Sequence, residues 1–160
     1  MVFYCQNEGL FLSADQVLSR ISPNVSVWPI DPDGDPLGLY LRSLDAIAAA
    51  VPHDVLVLPG HEMPFYNLHD RIAELIAHHE LRCGLILDAC QKGAKSAAEL
   101  VPFIFKGNFG PHEMGFAFSE VLSHVNFLLG RGRLEAIGDA ATSSAEAGER
   151  RPIRYRVATS

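Results

Sequence analysis

The run DVLVLP, residues 54–59, constrains this chain more than any other stretch. Val55, Leu56, Val57 and Leu58 follow one another without polar alternation, so the strand they predict is buried rather than half-solvated. A helix leads into it. LGLYLRSLDAIAAAV, residues 37–51, repeats apolar side chains at Leu37, Tyr40, Leu41, Leu44, Ile47 and Ala48, the spacing of an amphipathic helix, and Pro52 stops it. Upstream, VFYC and GLFLSAD flank the turn-like QNEG and predict a hairpin over about 2–14. Between hairpin and helix, ISPNVSVWPIDPDGDPLG is dense in Pro, Gly, Asn and Asp and predicts a long irregular loop. Hairpin, loop, helix and strand together predict an α/β layered arrangement.

The second half has a different texture. Residues 68–90 carry Ile72, Leu75, Ile76, His79, Cys83, Ile86, Leu87 and Cys90 on one side of a long helix. QKGAKS reads as a linker. Ser96 with Glu99 forms a capping box for AAELVPFIF, which Pro102 interrupts. A third helix opens at Pro111 and His112 and ends at Gly130 or Gly132. RLEAIG and PIRYRVA read as strands joined by the small, polar TSSAEAGE. Three helices followed by a two-stranded ribbon is the order of a winged helix. The expected division is therefore 1–67, an α/β unit, and 68–160, a mostly α unit.

Composition narrows the function. A net charge of −6 and a pI near 5.6 argue against a broad polyanion-binding surface. Residues 1–69 hold eight acids against Arg20 and Arg42, whereas Arg150, Arg151, Arg154 and Arg156 cluster near the C-terminus. Cys5, Cys83 and Cys90 are odd in number and read as reduced thiols. No charged leader precedes an apolar core and no run approaches the ~20 apolar residues of a membrane span, so a cytoplasmic protein is expected.

Two residues stand where chemistry is built. Asp15 and His61 each follow an apolar strand, and a carboxylate and a neutral imidazole both ligate zinc. A histidine in such a position is also often a locally bonded turn residue. The segments FLSADQVL, RISPNVSVWP, DPDGDPLGLYLRSL and LPGHEMPF resemble the second half of a metallo-β-lactamase-fold hydrolase. RIAELIAHHELR and HEMGFAFSEVLSHVNFLLGRGRLE resemble the winged-helix extension of the subgroup that includes the β-lactamase-like endoribonuclease. The likeness runs from about 2 to 137.

That resemblance implies a partial αββα sandwich followed by a winged-helix domain. It implies Asp15 as the bridging carboxylate of a two-metal zinc site, His61 as its last histidine, and Ser22, Pro23 and Asn24 as a substrate-facing segment. Ala14 stands where the family usually has Gly before the Asp, and Glu62 where Gly usually follows the His, which places a charge against the cleft. The family's HxHxDH motif is absent from this sequence, and its further histidine would lie just before Val2. Two ligands do not close a tetrahedral zinc site. The expectation is a truncated metal-dependent hydrolase, inactive as an isolated chain and without catalytic residues of its own, its zinc weakly bound or missing. Its uncovered strands are expected to drive homo-oligomer formation or pairing with an N-terminal half.

The competing function is a nucleic-acid-binding winged helix or a non-catalytic assembly module. The helix from His112 carries Glu113 and Glu120 and no Lys or Arg, so it offers phosphates nothing. Arg131, Arg133 and the 150–156 arginines, with Tyr155 among them, are the alternative basic wing, and a solvated accessory face is the preferred reading. His78 and His79 are adjacent and diverge on a helix; His53, His69, His112 and His124 form no chelating pattern.

Overall fold

The computed structural model describes residues 1–138 and 152–159. The loop TSSAEAGE, Arg150 and Arg151 lie outside the described residues. The chain divides into two compact units: Met1–Val25 with Gly38–Glu80, and Ser26–Leu37 with Leu81–Ser160.

In the first unit, strand β1 (Phe3–Cys5) pairs antiparallel with β2 (Leu10–Ala14), the expected hairpin, turning through Gly9 at φ 60°. Helix α1 (Pro36–Ala50) leads to β3 (Leu56–Pro59), which lies parallel to β2 with Leu10 opposite Leu56 and Leu12 opposite Leu58. The sheet order is β1-β2-β3. Inward-facing Phe11, Ser13 and Val57 are fully buried, joined in the core by Val17, Leu44, Leu68, Ile72 and Leu75. Of the unalternated run, Val55 and Val57 are buried while Leu56 and Leu58 are half-buried. Their side belongs to the sheet face that also carries Phe3 and Leu12, which are 59% and 43% exposed. The apolar pattern of a doubly covered strand is thus present, and one of its faces is open to solvent.

Helix α2 (Leu68–Gln91) begins in this unit. Asn67, at φ 66°, turns the chain into it, and the Leu68 N–H donates to the His53 carbonyl at 3.1 Å. The ring of His69 bonds the Val51 carbonyl at 2.8 Å, securing the start of α2 to the end of α1. Tyr40 of α1 meets the buried His79 ring edge-on at 5.5 Å.

In the second unit, the end of α2 leads to β4 (Lys95–Ser96), α3 (Ala97–Ile104), α4 (Pro111–Gly130), β5 (Leu134–Ile137) and β6 (Arg154–Val157). The ribbon gains a third strand: the antiparallel order is β4-β6-β5. Sequence reading takes Lys95 and Ser96 for linker because two residues show no periodicity; their pairing with Tyr155 and Arg154 exists only once β6 lies beside them. The capping box is present. Ser96 Oγ accepts from the Glu99 N–H, and Glu99 accepts from the Ser96 N–H at 2.7 Å. The Ser96 N–H and hydroxyl, both donating to the carboxylate, together with Arg154 hold the Glu99 carboxyl down at about 2, against its usual 4.5. The middle of the long loop lies on α4: the Val27 N–H donates to the Ser119 carbonyl at 3.2 Å, and the Asn126 amide donates to the Pro32 and Gly34 carbonyls at 2.9 Å each.

Candidate metal centre

Parallel pairing sets the geometry of the candidate site. β2 and β3 run in the same direction, so their C-terminal ends lie side by side and release their next residues at one edge of the sheet. The Gly60 N–H donates to the Ala14 carbonyl at 2.9 Å and joins the two ends. Asp15 and His61 therefore become neighbours, with His61 Nε2 3.4 Å from Asp15 Oδ1, although 46 positions separate them in the sequence. Both side chains are about two-thirds exposed, which leaves their remaining lone pairs accessible.

Backbone strain flanks the pair on both sides. Ala14, just before Asp15, has φ 47°, and Glu62, just after His61, has φ 69°. These are left-handed conformations that suit glycine and cost other residues of order 1 kcal/mol or more. The two departures noted in the sequence, Ala14 and Glu62, thus fall on positions with a physical need for glycine. At Gly60 the constraint is space rather than φ: a Cβ there would lie 2.7 Å from Asp15 Oδ1 and 3.2 Å from the Ala14 carbonyl carbon.

The turn after Asp15 is braced against α1. The Gln16 N–H donates to the Ser13 carbonyl at 2.9 Å, and Ser13 Oγ donates to the Val17 carbonyl at 2.7 Å. Tyr40 donates its hydroxyl to the Gln16 carbonyl at 3.1 Å. Burial pushes the Tyr40 phenol well above its ordinary pKa, and nearby Arg71 only partly offsets this, so it serves as a neutral donor.

Glu62 does not intrude on the pair. Its carboxylate turns to the loop after β2, accepting from Ser19 Oγ at 2.9 Å and from the Arg20 N–H at 2.8 Å. Desolvation opposes its charge, but hydrogen bonds from Arg20, Ser19 and Ile21, with the Arg20 charge, hold its pKa below the usual range. Arg71 grips the same loop from α2, donating to the Leu18 carbonyl at 2.7 Å and the Ile21 carbonyl at 2.9 Å. Ser22 and Pro23, half-buried, and Asn24, exposed, continue from this gripped segment. Sequence reading took Glu62 for a charge against the cleft and missed Gly60 and Arg71 as structural determinants of the site. Only the PGHE turn signalled Gly60, and nothing local signalled Arg71, which lies 50 residues from the carbonyl of Ile21.

The pair suits a divalent cation as two of its ligands. Zinc bonds of about 2.0–2.2 Å at tetrahedral angles put neighbouring donor atoms about 3.4 Å apart, the separation seen between Asp15 Oδ1 and His61 Nε2. The glycine beside the carboxylate leaves room for that oxygen where a Cβ would displace it.

Among the described arginines that sequence reading offers as a basic surface, three are paired. Arg154 pairs with Glu99 at 2.8 Å, Arg156 with Glu135 at 2.5 Å and Arg131 with Asp35 at 3.5 Å. Tyr155 is buried at 7% exposure and does not offer a stacking surface. On α4, Glu120 forms an ion pair with Arg82, whose guanidinium also lies 4.7 Å from the Phe105 ring centroid. Burial raises the Glu120 pKa against the pull of Arg82. No helix among the described residues is long and apolar enough to cross a membrane.

Residues 83–145 match the family model of the metallo-beta-lactamase-like C-terminal domain. Over 98% of its length the chain is 39% identical to a crystal structure of a beta-lactamase domain protein from Burkholderia ambifaria, with a TM-score of 0.87. It is 32% identical, again over 98%, to a metallo-beta-lactamase family protein from Thermus thermophilus, with a TM-score of 0.76. The chain spans 44% of each of those two chains. A comparison with curated proteins gives no match. In sequence and in fold, nearly the whole chain is similar to part of each of these two proteins.

Proposed function

We propose that this chain is the C-terminal portion of a metal-dependent hydrolase, contributing Asp15 and His61 to a zinc site whose other ligands it does not hold. The observation that carries the reading is the 3.4 Å approach of the two side chains at adjoining ends of parallel strands. Likeness to metallo-β-lactamase proteins, a family that usually binds zinc, supports it. Asp15 offers a carboxylate oxygen, and the Gly60–Ala14 bond and the Tyr40 brace keep it facing the ring of His61. Bound zinc would supply Lewis acidity and lower the pKa of a water molecule. Two corners of a tetrahedron do not make a catalytic site, so the isolated chain binds zinc weakly and does not hydrolyse.

The test is a zinc titration of the full 160-residue chain against a chromophoric indicator. Weak binding is expected in the parent and its loss in both His61→Ala and Asp15→Asn. Equal affinity in parent and variants refutes the metal role. Chelator-sensitive hydrolysis of phosphodiesters or thioesters by the isolated chain refutes its inactivity.

The order α2, β4, α3, α4, β5, β6, with its three-stranded sheet, supports a winged-helix reading of the second unit in the manner of the endoribonuclease subgroup. The paired arginines and buried Tyr155 support an accessory role for it over nucleic-acid binding. The open face bearing Phe3 and Leu12 supports self-association, or pairing with a complementary N-terminal half, through the first sheet. Sedimentation of a clean monomer would count against self-association. The three free thiols suit a reducing, cytoplasmic compartment.

A further inference from the structure

We propose that residues 19–21 form an oxyanion-binding site, suited to a phosphate or carboxylate group, whose occupant in this chain is the side chain of Glu62. Three donors converge on that carboxylate: the Ser19 hydroxyl at 2.9 Å, the Arg20 N–H at 2.8 Å, and the Ile21 N–H. Successive amides presenting their N–H groups to one oxyanion are the chemistry of a backbone anion nest.

The nest is held from behind, independently of Glu62. The Arg71 guanidinium takes the Leu18 and Ile21 carbonyls at 2.7 and 2.9 Å. Val17 and Leu18, at 0% and 3% exposure, root the segment in the core. Arg71 thus pins a carbonyl at each end of the segment, and the Arg20 and Ile21 amides between them face the carboxylate. The Arg71 side chain is only 13% exposed, so water screens its charge poorly, and Arg20 adds a second positive charge.

Glu62 reaches the nest at a cost. Its backbone is left-handed at φ 69°, a conformation maintained only where surrounding contacts outweigh the strain. A side chain bound in this way marks what the nest accepts. An external anion bound there would take the place of the carboxylate of Glu62, the residue that follows His61 in the chain. The nest itself does not depend on that metal reading, because none of its donors comes from Asp15 or His61.

The experiment uses the ¹⁵N-labelled full chain in metal-free buffer, so that its outcome is separate from that of the zinc titration. Glu62→Gly empties the nest and gives the turn the residue its φ favours. Inorganic phosphate, and separately acetate, are titrated at constant ionic strength in chloride while the Arg20 and Ile21 amide resonances are followed. Saturable shifts confined to the loop are expected in Glu62→Gly. They should be at least about tenfold tighter than in the parent, where the tethered carboxylate competes at millimolar effective concentration or above. Ser19→Ala in the Glu62→Gly background should weaken the response several-fold. Glu62→Ala, which empties the nest but keeps a Cβ, has to respond as Glu62→Gly does. Preference for phosphate over acetate, or the reverse, assigns the group. Unmoved Arg20 and Ile21 resonances in a dispersed spectrum overturn the proposal, as does an equal response in the parent. Non-saturating shifts spread over the surface, the sign of an ion atmosphere only, overturn it too.

Discussion

Gly60→Ala probes the joint between the two strand ends. The added Cβ would lie 2.7 Å from Asp15 Oδ1, and ordinary van der Waals contact begins near 3.4 Å, so the carboxylate must retreat by about 0.7 Å. It is the end of a side chain and can rotate. The Ala14 carbonyl carbon, at 3.2 Å, cannot yield as easily, because Ala14 is already left-handed and its oxygen accepts the Gly60 N–H. Overpacking of this kind costs about 1–3 kcal/mol, so the urea midpoint should fall with the m-value unchanged. A carboxylate displaced by that amount no longer matches the donor separation of a tetrahedral zinc. A misplaced ligand or its support typically costs 10–100-fold in metal affinity. Both consequences are measured on one protein, by urea unfolding and by zinc titration. Gly60→Ala with unchanged stability and unchanged zinc affinity would refute the argument that Gly60 is there to make room for Asp15.

Three further perturbations follow from the same structure. Ala14→Gly removes a left-handed alanine, and the relief of about 1–2 kcal/mol outweighs the added chain entropy of about 0.5–1 kcal/mol. Thermal unfolding should show a small net stabilisation, and a loss above about 1 kcal/mol would contradict the strain at this position. Arg71→Met removes donors from the Leu18 and Ile21 carbonyls and should cost about 2 kcal/mol, with faster amide exchange at Arg20 and Ile21; unaltered exchange would show that the loop does not need the guanidinium. Glu99 gives a pH signature. Its folded pKa of about 2 lies below the usual 4.5, so its contribution is complete above 4.5 and is lost as pH falls towards 2. Acid unfolding of Glu99→Gln should lack that part of the dependence, and superimposable profiles would remove the capping box from the account.

Much of the chain was legible in sequence because local rules governed it. The 3.6-residue spacing of Leu37, Tyr40, Leu44 and Ile47 placed α1, and Ser96 with Glu99 placed the start of α3, since a cap acts over three residues. Asp15 and His61 were identifiable as strand-end residues of ligating type. Their separation was not identifiable, because it follows from the parallel register of β2 and β3 and from the Gly60 hydrogen bond between their ends. Strand β4 was invisible for a related reason: two residues acquire strand geometry only when β6, nearly 60 positions away, supplies the hydrogen bonds. Glu62 read as a charge pushed into the cleft, whereas the loop held by Arg71 gave its carboxylate another destination. Composition and periodicity act through neighbours a turn or a pleat away, and they settled which helices and strands exist. Packing joined residues tens of positions apart, and it alone decided which side chains meet.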